Sequence, residues 1–134
     1  LARVVYLDAF VPNDGESVQS LNGGTPFAGV QGDVIVPSWV PQDAAPPSDV
    51  PHPLKSFTQP ISLENPLRDK IPTTYILTVD PGAETDDFDL FAKRAAEKGW
   101  SVERLATGHN AQRSARRELC ALLEQARIDG RATP

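Results

Sequence analysis

The sequence predicts an α/β fold, and three observations carry that reading. Residues 3–11 form a nearly continuous apolar run rich in β-branched and aromatic residues. Residues 71–80 form a second such run. From residue 71 onward the pattern alternates strand, helix, strand, helix, an order that calls for a parallel sheet with a right-handed crossover.

The first strand, Arg3 to Val11, is apolar at almost every position rather than at every second one. That suits burial on both faces, as in the middle of a parallel sheet. Pro12-Asn13-Asp14-Gly15 then supplies turn chemistry. Residues 12–66 hold ten of the thirteen prolines, too many for long regular elements. Yet Phe27, Val34, Ile35, Val36, Trp39, Val40, Leu54 and Phe57 need burial. The expectation is an ordered, mostly irregular excursion with one short helical turn near Glu16–Leu21. Excursions of this length are usually lids or caps.

The second strand runs to Asp80 and is closed by Pro81-Gly82. Thr85, Asp86 and Asp87 offer N-cap and first-turn oxygens to a helix. Its apolar face is Phe88, Phe91, Ala92, Ala95 and Ala96, and Gly99 is placed to end it. Trp100 to Ala106 read as a third, half-polar strand near a sheet edge. A last helix is expected over Ser114 to Ile128, with Leu119, Cys120, Leu122, Leu123 and Ala126 on its buried face.

Composition removes several function classes. A net charge of −5 over 134 residues leaves no basic stripe for nucleic acid. One cysteine, Cys120, excludes an intrachain disulfide and a cysteine-based zinc site. No apolar run approaches the ~20 residues of a membrane span, and the first residues lack a signal-peptide pattern. A cytoplasmic protein is expected. No cofactor or metal is called for.

Two strand ends carry the chemistry. Asp80 ends the second strand, and His109, in Thr107-Gly108-His109-Asn110, follows the third. Parallel strands bring such residues to one edge of the sheet. A carboxylate there can hold one imidazole nitrogen and stabilise the imidazolium formed when the other takes a proton. The plainer alternative is that Asp80 only closes a turn and His109 only starts the last helix. The nucleophile of such a triad belongs on a G-x-S-x-G elbow. None of the eight serines, Ser17, Ser20, Ser38, Ser48, Ser56, Ser62, Ser101 and Ser114, has that setting.

These segments resemble the C-terminal half of α/β-hydrolase-fold enzymes, in the branch that includes plant salicylate-binding methyl esterases, hydroxynitrile lyases and many small bacterial esterases. Arg3 to Pro12 looks like the strand after the nucleophile helix, with its exit into the cap. His52 to Pro60 looks like the return from the cap. Tyr75 to Asp80 followed by Phe88 to Phe91 looks like the strand bearing the triad acid and its helix. Thr107 to Asn110 looks like the loop bearing the triad histidine. The likeness spans nearly the whole chain.

The resemblance implies the C-terminal part of an α/β-hydrolase fold, with residues 1–11 a core strand, 12–66 the cap and 67–134 the rest of the core. It implies a serine hydrolase of carboxylic esters in which His109 is the base and Asp80 the acid. Asp8 is the second candidate acid, because some α/β hydrolases take the carboxylate from the end of this earlier strand. Phe10, Phe27, Trp39 and Phe57 are candidates to line a pocket for a small apolar ester. The nucleophile and oxyanion hole would come from an N-terminal segment of the same fold, in the same gene or on a second chain. Three strands and two good helices are also too little to cover both faces of two buried strands, which points the same way. The sequence leaves a homo-oligomer open. Rival readings are a non-catalytic binding or assembly module that keeps the fold, and a hydroxynitrile-lyase type of enzyme. Neither Lys55 nor Lys70 matches the pocket lysine typical of the latter.

Overall fold

In a computed structural model, residues 3–38, 40, 41, 43–45 and 48–129 are described. The chain divides into two compact units, Leu1–Val11 with Asn65–Pro134, and Pro12–Glu64.

The first unit is an α/β layer built on a parallel three-stranded sheet. Its strands are β1 (Val4–Leu7), here with β5 (Thr73–Val79) and β6 (Ser101–Ala106), in the order β1-β5-β6. Val4 is in register with Thr73 and Thr74 with Ser101, and both pairings are parallel. β5 is the central strand, and Thr74 through Val79 are all buried. Its alternation sends Ile76 to a cluster with Leu105, Ala111, Ala115 and Leu119, which Val5, Leu7 and Leu122 flank. Tyr75, Leu77 and Val79 point to the other face.

β1 departs from expectation. It lies at an edge of this sheet and its four residues are only half-buried. An apolar run records affinity for a core but not the number of neighbours a strand has. The strand is also shorter than the apolar run, because Asp8 takes a left-handed backbone (φ 43°) and turns the chain out of the ladder. β6 lies at the opposite edge, as its half-polar pattern predicts.

The helix between β5 and β6 runs Asp89–Glu97 (α3) and buries Phe91, Ala92 and Ala95. At its start the Asp86 carboxylate accepts from the Phe88 N–H, and the Asp89 carboxylate accepts from the Asp86 N–H. These bonds order the turn before the helix, whose N-cap is Phe88 and has no side-chain cap. Gly99, with φ 75°, closes the helix. The expected last helix is α5 (Arg116–Asp129), and a separate turn of helix, α4 (Ala111–Ser114), precedes it. The Ser114 hydroxyl donates back to the Asn110 carbonyl and meets the Thr107 hydroxyl. Such back-bonding bends helices. The buried stripe that follows is Ala115, Leu119 and Ala126, with Leu122 half-buried. Cys120 is exposed and Leu123 is 41% exposed, so neither belongs to the buried face expected for it. Both lie one residue further round the helix than the stripe that meets the sheet.

The second unit is more regular than its proline content suggests. Strands β2 (Val30–Gln31), β3 (Val34–Ile35) and β4 (His52–Pro53) form a small antiparallel sheet. Two-residue strands are too short to display a period of two. The expected helical turn is α1 (Val18–Leu21), capped reciprocally by Ser17 and Ser20. A second turn, α2, spans Lys55–Thr58.

Candidate active site

Asp8 ends β1 and His109 follows β6 on the loop into α4. The His109 Nδ1 lies 2.6 Å from Asp8 Oδ2. Asp8 is 3% exposed. Its other carboxylate oxygen accepts the backbone N–H of Thr78, on the neighbouring strand, at 3.1 Å. Both oxygens of a buried carboxylate are thus engaged, as burial of a charge requires. A carboxylate accepts only, so Nδ1 carries the proton, and Nε2 of the neutral ring is the free lone pair. The His109 side chain is 63% exposed.

The expected pairing of Asp80 with His109 is therefore corrected: the carboxylate at the imidazole is Asp8. Asp80 is exposed, and among the described residues no hydrogen bond or ion pair joins it to His109. It stands beside the loop instead, its Oδ1 3.0 Å from where a Cβ on Gly108 would be. The reason is strand geometry. β5 stays extended through Val79 and delivers Asp80 to the surface. At Asp8 the left-handed backbone folds the side chain inward over the end of β5. Aspartate tolerates that conformation better than most residues. A lone acid inside an apolar run is the sequence signal of this turn, and the strand ends at Leu7 just before it.

The imidazole is also fixed from the side. Phe88 stacks on the His109 ring at 5.6 Å between centroids and 18° between planes. Phe88 in turn meets Phe10 and Phe91 edge-on or tilted, at 5.3 Å and 5.8 Å. Phe10 thus belongs to the aromatic group that backs the histidine. Helical spacing marks Phe88 as apolar-face but carries no signal of its stack on the imidazole, which depends on a loop further along the chain.

Phe27 and Phe57 lie in the second unit, where their rings meet edge-on at 5.1 Å and His52 packs against Phe57. Trp39 lies outside the described residues.

Tyr75 is fully buried one strand away. Its hydroxyl donates to the Ala9 carbonyl at 2.9 Å and accepts from the Ala9 N–H at 3.2 Å. Burial pushes its phenol well above the ordinary tyrosine value, and the nearby Asp8 carboxylate adds to the shift, while the hydrogen bond at Ala9 opposes it. Among the described residues no group of three or more histidine, cysteine, aspartate or glutamate side chains could hold a metal ion, and no helix is long and apolar enough to cross a membrane. Comparison with protein-family models, with curated proteins and with solved structures finds no match to this chain.

Proposed function

We propose that this chain is the acid- and histidine-bearing part of a serine hydrolase of carboxylic esters. The observation that carries the reading is the buried Asp8 carboxylate on His109 Nδ1, at the carboxyl ends of parallel strands. A serine of an N-terminal segment attacks the ester carbonyl, and His109 Nε2 takes the serine proton. Asp8 holds the Nδ1–H and stabilises the imidazolium. Collapse of the tetrahedral intermediate returns the proton to the departing alcohol and leaves an acyl-serine. Water, deprotonated by the same nitrogen, then releases the acid. The resemblance to esterases supports the substrate class, and the lack of a G-x-S-x-G serine among the 134 residues supports a nucleophile outside them.

The coding sequence upstream of Leu1 tests the proposal. It should encode an H-G-type loop and then G-x-S-x-G within a few tens of residues of Leu1. The protein carrying that segment should hydrolyse p-nitrophenyl esters, and the 134-residue chain alone should not. An upstream sequence with neither motif would sink the esterase reading in favour of a binding module.

A further inference from the structure

We infer that Tyr75 is the positioning residue of the Asp8–His109 pair, holding the chain beyond Asp8 so that its carboxylate stays at the imidazole. The inference rests on the catalytic role proposed for that pair and adds a residue to it.

The geometry divides into three restraints on one strained residue. Before Asp8, its own N–H donates to the Ile76 carbonyl at 2.8 Å, the last rung of the β1–β5 ladder. At the side chain, the Thr78 N–H holds Oδ1. Beyond Asp8, ordinary ladder pairing has ended, and the Tyr75 hydroxyl takes both polar groups of Ala9. A left-handed backbone costs a non-glycine residue about 1 kcal/mol and persists only where its surroundings hold it. Remove the third restraint, and Asp8 can relax towards an extended backbone. That would rotate the carboxylate away from His109 and from the Thr78 N–H. The Tyr75 ring is buried whether or not its hydroxyl is present, so packing alone does not require a tyrosine. A phenylalanine would fill the same space and leave the half-buried N–H and carbonyl of Ala9 without this partner.

The test is NMR of the 134-residue chain, whose only histidines are His52 and His109. In the parent, the His109 Nδ1 proton should give a low-field resonance, and ¹⁵N shifts should report protonation at Nδ1. Asp8→Asn should abolish that signature. Tyr75→Phe should weaken or abolish it too and speed Ala9 amide exchange by about fivefold or more, the factor for one lost hydrogen bond. Tyr6→Phe, which alters a ring stacked on Trp100, and Leu77→Ala, which loosens the core, should leave it intact. A Tyr75→Phe protein with the parent's low-field proton and tautomer overturns the inference and leaves the proposed catalytic pair standing. An unchanged signal in Asp8→Asn removes the pair itself, and the hydrolase reading with it. Should Tyr75→Phe fail to fold, the parent still decides. A slowly exchanging Tyr75 hydroxyl proton close to the Ala9 amide supports the clamp, and its absence overturns it.

Discussion

Asp8 and His109 are 101 residues apart in the chain and 2.6 Å apart in space. One stands at the end of β1 and the other beyond β6, at opposite edges of the three-stranded sheet. The pair closes over the end of β5, whose Thr78 N–H holds the second carboxylate oxygen. The sheet thereby fixes which imidazole nitrogen faces the carboxylate.

That arrangement makes Asp8 and Asp80 separable by mutation. On the proposed function, Asp8→Asn in a protein that joins this chain to a nucleophile segment should lower kcat by about 10⁴, the scale seen when a triad acid becomes an amide and the imidazole takes the wrong tautomer. Asp80→Asn should leave kcat within about twofold, because surface changes away from such contacts are usually small. Ester hydrolysis under saturating substrate measures both. Equal losses in the two variants would return the acid role to shared ground.

Much of the scaffold could be read from residue pattern alone. The parallel strands, the helix ended by Gly99 and the histidine loop follow from apolar period and turn chemistry, which are local. The carboxylate that meets the imidazole differs from the expected one because the decisive variable, a positive φ at Asp8, is conformational and is held by Tyr75 and Thr78 far along the chain. The apolar pattern favours Asp80, which ends its run, over Asp8, which lies inside the run Arg3 to Val11. The small antiparallel sheet of the second unit was illegible for the opposite reason: its strands are shorter than the period that would announce them.

Phe88 should matter to both stability and the histidine. It is half-buried and stacks on His109 while meeting Phe10 and Phe91. Phe88→Ala should cost about 2 kcal/mol, below the range for a fully buried phenylalanine. Urea unfolding should show this as a lower midpoint at unchanged slope. Phe88→Leu should recover most of the stability but not the flat stack, so the His109 ring should sample more rotamers. A Phe88→Ala protein as stable as the parent would mean that the aromatic group contributes nothing.

Gly29 offers a test of the second unit. Its φ is 75°, and a Cβ there would clash with the Val36 carbonyl oxygen, a backbone atom. The Val36 N–H donates to the Gly29 carbonyl, so the two backbones cannot separate without losing a bond. Gly29→Ala should therefore destabilise this unit by about 2 kcal/mol or more. Gly24→Ala shares the positive φ but meets nothing within 4 Å, so it should cost only the backbone term. Amide exchange across residues 29–36 distinguishes them, with protection lost in the first variant and retained in the second.

Tyr75 predicts a specific alkaline limb. Its phenol is raised in the folded protein by burial, so the folded state holds the proton more tightly than the unfolded chain, which titrates near 10. Below that value both states are protonated, and the full contribution of the buried phenol to stability is present. Above it the unfolded chain loses its proton while the folded state keeps one. Stability then falls as pH rises, by at most about 1.4 kcal/mol per unit, until the folded value is reached. Tyr75→Phe has no proton to lose there. Its stability at neutral pH should be lower, because the Ala9 groups lose their partner. From pH 10 to 11.5, however, the gap between the two proteins should narrow. Lysine titration is common to both and cancels in the difference. Urea unfolding of the pair at four pH values across that window measures the convergence, and parallel curves would show that the Tyr75 phenol titrates alike in the folded and unfolded chains.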